Sequence, residues 1–397
     1  MNDELLNIAD LRRRARKSLP RGIFDFVERG TEDDIAIVNN TEAIRMIKLV
    51  PRVARNVKDR DLSIELLGRR QTMPLAVAPT GACGLLWYQG EVELARAAAA
   101  AGIPFTLATG SMSSIETIAE AAAGSTLLFQ IYFWENREYS YQLLDRVKGS
   151  PYDALVVTVD TAVPAKREYN VRNGFGIPFA FNRTNVLDVA LHPGWALRVL
   201  GRYLLNGGMP KYENYPAELR TRITGKPLGG NLRNDTFTWE ELKDIRRRWP
   251  RRLIVKGILD PGDAREAVQC GADAVIVSNH GGRQLDSSIS PIDALAAIVE
   301  EVGNQIPVLV DGGFRRGSDV VKALAIGASA VLTGRPMLYG IAVDGQAGAA
   351  MAMEFFRDEI SRSMALSGCA RISDITAELL RPARRLAMPT PASFCPD

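Results

Sequence analysis

The sequence predicts an α/β fold, a (β/α)₈ TIM barrel with an N-terminal helical extension and a long loop insertion after strand 4. Three observations predict it: eight short apolar segments occur in order, most are separated by a helix-length segment, and each has a continuous apolar stretch rather than an alternating pattern. Continuous apolar strands indicate burial on both faces, as in a parallel sheet. Eight successive βα units are typical of a barrel, whereas a doubly wound sheet rarely needs so many.

The predicted strands are short and rich in valine, leucine, isoleucine and alanine. In chain order they are Leu75–Ala78, Phe105–Ala108, Leu127–Ile131, Ala154–Asp160, Leu253–Lys256, Ala274–Ser278, Val308–Asp311 and Ala330–Thr333. Helices are predicted between them, for example at Glu91–Ala101 and Ile115–Ala123. Another runs to Gly271, with Asp260 as its N-cap and Pro261 in its first turn.

The spacing of strands and helices is interrupted between the fourth and fifth predicted strands. A loop insertion at about 171–235 precedes a helix that begins with the capping box Thr238-Trp239-Glu240-Glu241. Long loops at the C-terminal mouth of a barrel are usually functional. We therefore expect a single domain over 1–397, with the barrel at about 72–345 and C-terminal helices at about 346–385.

Composition excludes several classes of protein. The chain is 46% hydrophobic and 24% charged, as expected of a globular protein, and its net charge of +3 is too balanced to indicate nucleic-acid binding. The four cysteines form no CxxC pair, so neither a disulfide framework nor a zinc site is indicated and a reducing compartment fits best. The N-terminus reads as a charged amphipathic helix without a signal-peptide core, which predicts a cytoplasmic location.

The chain has two histidines, and one of them directly follows a predicted strand. His280 comes after strand six, at the barrel end where active sites form, and imidazole is the natural base near neutral pH. A structural, hydrogen-bonded histidine is the alternative. The neighbours favour a functional role, because Gly281 and Gly282 allow a ligand close to the backbone and Arg283 offers a fork for a carboxylate.

Other polar residues close neighbouring strands and converge on the same mouth. Asp160 ends strand four and is placed to orient His280. Arg167 is a second candidate for a carboxylate clamp, with a solvated loop residue as the alternative. Gln130 and Tyr132 close strand three, where the alternative is an ordinary pair at the barrel rim.

A phosphate site is predicted independently of the histidine. Strand seven ends in the glycine-arginine loop 311–317 and strand eight in Gly334-Arg335, where barrels commonly bind phosphate at helix N-termini. Lys256 closes strand five and its cation could support a negatively charged cofactor ring, although a lysine extending from the rim to solvent is the alternative. The sequence has no Walker A motif and no GxGxxG after a strand, and a metal site is poorly supported.

Together these motifs resemble those of the FMN-dependent L-2-hydroxy acid oxidase and dehydrogenase family, over nearly the whole chain. The most specific motif is SNHGGRQLD at 278–286, joined by DGGFRRGSD at 311–319. Shorter matches are Pro79-Thr80-Gly81, Gln130-Ile131-Tyr132, Thr158-Val159-Asp160, Lys256-Gly257 and Gly334-Arg335. The resemblance implies FMN-dependent oxidation of an L-2-hydroxy acid to the 2-keto acid, a quinone or other electron acceptor, and a homotetramer.

The resemblance also implies a role for each matching residue. His280 would take a proton from the substrate, with Asp160 as its partner. Arg167 and Arg283 would hold the substrate carboxylate, and Tyr132 would contact the carboxylate or the hydroxyl. The implied cofactor contacts are Lys256 near N1 and O2 of the flavin; Ala78, Pro79, Thr80, Gly81, Ala108, Gln130 and Thr158 around the ring; Ser278 and Asp311 at the ribityl chain; and Gly313, Arg315, Gly334 and Arg335 at the phosphate.

Within the family, different segments point to different substrates. Residues 67–74, Leu86-Trp87 and 187–195 resemble mandelate dehydrogenases, whereas 225–231 and 255–264 resemble bacterial L-lactate dehydrogenases. We expect (S)-mandelate or a similar aromatic hydroxy acid as substrate. L-Lactate dehydrogenase and oxygen-using 2-hydroxy acid oxidase are the alternatives.

Three positions bear on activity and on the electron acceptor. Phe26 stands where the family has a tyrosine that donates to the substrate carboxylate, and Ala108 stands where relatives usually carry a serine near the flavin. These departures suggest a catalytically degraded flavin-binding scaffold as the alternative from another class. Gly81 matches mandelate dehydrogenases, where oxidases tend to carry alanine, and predicts slow reaction with oxygen.

The insertion combines basic and apolar residues. The segment 171–233 carries nine arginines and lysines against three acids, alongside the apolar residues of 186–205. This pattern suggests a segment that docks on anionic lipid, with the protein peripheral on the inner face of the cytoplasmic membrane. The alternative is a soluble lid over the active site.

Overall fold

The computed structural model describes residues 4–176, 182–216, 219–220 and 235–382. Eight parallel strands in these residues close into a barrel, which confirms the predicted fold class. The barrel strands are β1 (Leu75–Val77), β2 (Phe105–Ala108), β3 (Leu127–Ile131), β4 (Ala154–Thr158), β5 (Arg252–Ile258), β6 (Ala274–Val277), β7 (Val308–Asp311) and β8 (Ala330–Thr333). Each pairs with the next, and β8 pairs with β1, with Val331 opposite Leu75.

Four strand ends differ from the sequence-based expectation. Strands β1, β4 and β6 end one or two residues earlier, so that Ala78, Asp160 and Ser278 follow their strands. Strand β5 continues past Lys256 to Ile258, with a shift in register opposite β6 between these two residues. The reason is an irregularity of the backbone at the barrel mouth, where the chain turns away from the ladder toward the loops.

Helices cover the outside of the barrel and extend it at the N-terminus. They are α1 (Ile8–Ser18), α2 (Arg21–Glu28), α3 (Ile35–Met46), α4 (Gly90–Ala101), α5 (Ile115–Ala121), α6 (Arg137–Lys148), α7 (Glu168–Arg172), α8 (Arg183–Ala190), α9 (Pro193–Trp195), α10 (Arg202–Leu205), α11 (Trp239–Arg248), α12 (Pro261–Gln269), α13 (Pro291–Val302), α14 (Gly317–Ile326) and α15 (Arg335–Leu366). A π-helical turn, Ala196–Gly201, joins α9 to α10. Asp260 caps α12 as predicted, because its carboxylate accepts from the backbone N–H of Gly262 at 2.7 Å.

Short strands outside the barrel fix its base and its flank. The hairpin of Ile64–Leu66 and Arg69–Gln71 places Leu66 among the side chains that fill the barrel interior. The strand Ile47–Leu49 pairs with Leu380–Pro382, which ties the N-terminal extension to the last described residues. Helix α15 is kinked at Asp344 and Gly345.

The insertion after β4 is helical over most of its described part. Trp195 and Val199 are buried and anchor it, and the Trp195 indole donates to the carbonyl oxygen of Leu85 at 2.8 Å. The lactate-dehydrogenase-like motif at 225–231 lies outside the described residues. No helix in the described ranges is both long enough and apolar enough to cross a bilayer.

Candidate active site

The alternation of side chains along the barrel strands builds the floor of the site. The barrel interior is filled by apolar side chains from seven of the strands: Ala76, Leu128, Val156, Ile254, Ile276, Leu309 and Leu332. Because side chains on a strand repeat every two residues, the position two further along each strand lies in the next layer, at the C-terminal mouth. This mouth layer is Ala78, Ala108, Gln130, Thr158, Lys256, Ser278, Asp311 and Gly334.

A cavity of about 300 Å³ lies above the mouth layer. Its size falls within the range of small-molecule sites, ~300–1,000 Å³. Nearly all predicted site residues line it: Phe26, Ala78, Pro79, Thr80, Gly81, Ala108, Gln130, Tyr132, Thr158, Arg167, Lys256, His280, Arg283, Asp311, Gly313, Arg315, Gly334 and Arg335. The other two, Asp160 and Ser278, lie directly behind lining residues and are hydrogen-bonded to them.

Several buried polar atoms around the cavity make no hydrogen bond with described residues. They include Nε2 of Gln130, Oγ1 of Thr158, Oδ1 of Asp311 and Oγ1 of Thr333. Buried polar groups are normally paired, because leaving one unpaired costs roughly 1–3 kcal/mol. We conclude that this floor is shaped for a polar ligand that supplies the missing partners.

His280 is held in an orientation that presents one ring nitrogen to the cavity. Its Nδ1 lies 2.9 Å from Oδ1 of Asp160, and its Nε2 lies 3.4 Å from the hydroxyl of Tyr132. The backbone of His280 is left-handed, with φ of 59°, and its N–H donates to Oγ of Ser278 at 3.0 Å. A non-glycine residue in this conformation is uncommon and clusters at functional sites.

Gly257 makes room for the carboxylate that orients His280. Its φ is 105°, and a Cβ at this position would lie 2.6 Å from Cβ of Asp160. Any side chain here would push Asp160 away from the imidazole. The irregular end of β5 therefore serves the His280–Asp160 pair.

Burial and nearby charges set the protonation states of this pair. Burial lowers the pKa of His280 below its ordinary value, while the Asp160 carboxylate acts in the opposite direction. Burial alone raises the pKa of Asp160, but its interactions with His280, including their hydrogen bond, and the charge of Lys256 outweigh burial and hold the pKa below its ordinary value. The resting pair is thus a neutral imidazole beside a carboxylate, which is the arrangement of a base.

Lys256 brings a buried positive charge to the cavity floor. Its side chain donates to Oγ of Ser278 at 2.8 Å and pairs with Oδ2 of Asp311 at 3.1 Å. Burial lowers the pKa of Lys256, but the carboxylates of Asp311 and Asp160 outweigh it and raise the pKa above its ordinary value. The ammonium is therefore charged and can stabilise negative charge on a bound ring.

Arg283 joins the N-terminal extension to the cavity. Its Nη1 donates to the carbonyl oxygens of Phe26 and Arg29, at 2.8 Å each, and its guanidinium lies 5.3 Å from the centre of the Phe26 ring. Burial and the charges of Arg167 and Arg335 lower the pKa of Arg283 to about 9. It remains protonated at neutral pH, and a bound anion would relieve the repulsion between these arginines.

Arg167 is the second arginine on this side of the cavity. It lies in the loop after β4, immediately before α7, and its buried Nε makes no hydrogen bond with described residues. A carboxylate placed between Arg167 and Arg283 would satisfy both the unpaired N–H and the excess positive charge.

The predicted phosphate end lies at the loops after β7 and β8. Arg335 donates to the carbonyl oxygens of Val27 at 2.9 Å and Gly281 at 2.8 Å, so its side chain also holds the N-terminal extension against the barrel. Among the described residues, the Arg315 side chain makes one long hydrogen bond, 3.3 Å, to the carbonyl oxygen of Phe314. Arg315 therefore has more donors left for an anion than Arg335 has.

Sequence reasoning missed three aromatic residues that line the cavity, Trp134, Tyr212 and Tyr215. The rings of Tyr212 and Tyr215 stack at 4.8 Å, and Tyr215 meets Trp134 edge-on at 5.5 Å. Trp134 follows β3 closely and could have been found from its position near a strand end. The two tyrosines lie in the insertion, where no strand-end pattern marks them.

Comparisons with known proteins found a matching family model, similar sequences and a similar structure. The family model described as "FMN-dependent dehydrogenase" matches residues 15–382. (S)-Mandelate dehydrogenase of Pseudomonas putida is 40% identical over 96% of this chain and 95% of its own, and L-lactate dehydrogenase of Azorhizobium caulinodans is 40% identical over 94% and 97%. The crystal structure of a monotopic membrane protein, (S)-mandelate dehydrogenase, superposes with a TM-score of 0.90 at 40% identity, covering 96% of this chain and all of that one.

Proposed function

Since the chain belongs to the FMN-dependent dehydrogenase family, we propose that it oxidises an L-2-hydroxy acid to the 2-keto acid, with (S)-mandelate or a similar aromatic acid as preferred substrate. The observation that carries the proposal is the cavity in which the His280–Asp160 pair, two arginines and an aromatic wall face the same space.

The cavity floor fits FMN by its chemistry. The unpaired atoms of Gln130 and Thr158 offer partners for the edge of an isoalloxazine ring, and the free oxygen of Asp311 suits the hydroxyls of a ribityl chain. Lys256 supplies the cation beside the ring, and Gly313, Gly334, Arg315 and Arg335 would hold the phosphate. When bound, FMN supplies the two-electron redox chemistry that the side chains lack.

The protein's own residues orient the substrate and move its proton. Arg167 and Arg283 would bind the carboxylate, which places the hydroxyl-bearing carbon near His280 and Tyr132. His280 would take a proton on Nε2, and Asp160 would stabilise the imidazolium that forms. This arrangement argues against a catalytically degraded scaffold, because a scaffold needs neither a base nor two arginines.

The aromatic wall favours an aromatic substrate over lactate. Phe26, Trp134, Tyr212 and Tyr215 present ring surface to the cavity. Burial of a phenyl group against such rings stabilises binding, both through its apolar area and through ring–ring contacts. A methyl group, as in lactate, would leave most of this wall uncovered.

Anaerobic reduction of the bound flavin tests the proposal. We expect (S)-mandelate to bleach the flavin absorbance faster than L-lactate at equal subsaturating concentration, whereas (R)-mandelate is the matched ligand control and should not react. Faster bleaching by lactate would contradict the aromatic preference. No bleaching by any 2-hydroxy acid would overturn the proposed function and favour the scaffold.

We also propose that the electrons leave to a quinone or a similar acceptor rather than to oxygen. Gly81 lines the cavity, and a glycine at this position is what the resemblance to mandelate dehydrogenases implies. Its contact with the neighbouring loop is close, since a Cβ there would lie 3.0 Å from the carbonyl oxygen of Gly110. Stopped-flow reoxidation of the reduced enzyme should be slower with oxygen than with a quinone analogue, and equal rates would make the protein an oxidase.

The outer face of the insertion supports attachment to a membrane surface. Trp195 and Val199 are buried on its inner face. Five leucines of the same segment are exposed instead: Leu191 (78%), Leu205 (85%), Leu187, Leu197 and Leu204. Exposed apolar side chains grouped in this way mark an interaction surface. The same segment carries the exposed basic residues Arg198 and Arg202, whose charge suits anionic lipid. The homotetramer stays a prediction.

A further inference from the structure

The segment from Tyr212 to Tyr215 is fixed to the barrel although it belongs to the insertion. Asn214 is 1% exposed; its Oδ1 accepts from the N–H of Ile115 and its Nδ2 donates to the carbonyl oxygen of Ser113, both at 3.1 Å. The N–H of Glu213 donates to the carbonyl oxygen of Ser111 at 3.2 Å. These contacts hold the segment against the loop that follows β2, beside the cavity.

The contacts of Asn214 with Ser113 and Ile115 determine where the neighbouring Tyr212 ring lies. Stacking on Tyr215 holds the Tyr212 ring in the cavity wall, near Gly110. Its hydroxyl makes no hydrogen bond within the part of the chain that the structure describes. Burial raises the pKa of Tyr212, so the phenol stays protonated at neutral pH, and Tyr212 and Arg167 line the same cavity.

The cavity needs a donor at this point. Phe26 lines the carboxylate side without a polar atom, and the Tyr132 hydroxyl already lies 3.4 Å from Nε2 of His280. Tyr212 thus brings a protonated hydroxyl to the cavity that Arg167 also lines, and Nε of Arg167 makes no hydrogen bond with the described residues.

We propose that Tyr212 is a substrate-binding residue whose phenol donates a hydrogen bond to the substrate carboxylate beside Arg167. The inference rests on the proposed function, because it needs a carboxylate substrate. It assigns to the insertion a direct part in substrate recognition, and it makes Asn214 the positioning residue for Tyr212.

The test is Tyr212→Phe, which removes the hydroxyl and keeps the stacked ring. The probes are benzoylformate, the keto acid of mandelate, and acetophenone, which has the same ring and carbonyl but no carboxylate. Dissociation constants are measured from the perturbation of the flavin absorbance and normalised to bound flavin. Tyr141→Phe is the matched control, because Tyr141 lies on α6 and packs against Phe133 outside the cavity.

We expect Tyr212→Phe to weaken benzoylformate binding roughly tenfold, as the loss of one hydrogen bond to a charged group predicts. Acetophenone should bind Tyr212→Phe and wild type alike, and Tyr141→Phe should match wild type with both probes. Unchanged benzoylformate binding, or an equal loss for both probes, would overturn the role of Tyr212. Failure of the proposed function is separate, since it would appear as wild-type flavin that no 2-hydroxy acid reduces.

Discussion

Nδ1 of His280 lies 2.9 Å from Oδ1 of Asp160, although 120 positions separate the two residues in the sequence. Because a carboxylate only accepts hydrogen bonds, Nδ1 carries the proton, and Nε2, which lies near the Tyr132 hydroxyl, is the acceptor on the cavity side. The contact therefore selects the tautomer that can take a proton from the substrate.

Replacement of the base should separate catalysis from cofactor binding. We expect His280→Gln to retain FMN and to lose turnover by at least ~100-fold, since general-base catalysis contributes ~10²–10⁴. The other histidine gives a matched control: His192 lies on the insertion, where its Nδ1 is 2.7 Å from the carbonyl oxygen of Asp188, and His192→Gln should turn over normally. Steady-state rates normalised to flavin content measure both. Half the wild-type rate in His280→Gln would contradict the assignment.

The pH profile should report the shifted pKa of His280. The base acts when neutral, so kcat/KM should fall as the pH is lowered through its pKa, which burial places below 6.5. Asp160→Asn removes the charge that raises this pKa, so its acid limb should move to lower pH. The plateau rate should fall as well, because the imidazolium loses its stabilising partner. Movement of the limb to higher pH would show that Asp160 does not act on His280 in this way.

The phosphate end can be tested with a pair of adjacent arginines. Arg315 lines the cavity, whereas the Arg316 side chain pairs with Glu359 at 2.6 Å outside it. We expect Arg315→Ala to weaken FMN binding by roughly tenfold or more through loss of a charge-assisted hydrogen bond, and Arg316→Ala to leave it unchanged. Fluorescence titration of the apoprotein measures this. Riboflavin has no phosphate and should bind Arg315→Ala and wild type equally; an equal loss with riboflavin would refute the phosphate role.

Addition of a hydroxyl at position 26 probes the carboxylate side. If the site lacks a donor there, Phe26→Tyr should tighten binding of both mandelate and lactate by roughly tenfold, which corresponds to ~1.4 kcal/mol. If instead the Phe26 ring packs against the substrate phenyl group, binding of mandelate alone should weaken. KM and flavin-reduction titrations on the two substrates distinguish these results. No change on either substrate would mean that Phe26 does not contact the substrate.

Membrane docking predicts a dependence on the exposed leucines of the insertion. Vesicles that contain phosphatidylglycerol should co-sediment with the protein at low salt and release it at high salt. The double variant Leu204→Ser, Leu205→Ser should bind much less. Leu366→Ser is the control, since Leu366 is also exposed but lies at the end of α15. Absence of binding by the intact protein would favour the insertion as a soluble lid.

The barrel and its mouth layer could be predicted because both follow from local rules. Apolar segments separated by helices predict the strands, and a period of two places Gln130, Thr158 and Lys256 in one layer. The position of Tyr212 could not be predicted, since it depends on contacts of Asn214 with a loop about 100 residues earlier. Nor does any sequence pattern predict that Arg283 donates hydrogen bonds to backbone carbonyl oxygens of the N-terminal extension.

Arg283 and Arg335 hold carbonyl oxygens in the last turn of α2 and at Arg29, just after it, and this has a consequence for biosynthesis. Helix α2 leaves the ribosome early, yet the side chains that hold it come from the loops after β6 and β8. Contacts between such distant parts of a chain form late, because the intervening chain must be ordered first. We therefore expect the N-terminal extension to dock over the cavity late in folding, after the barrel strands have paired.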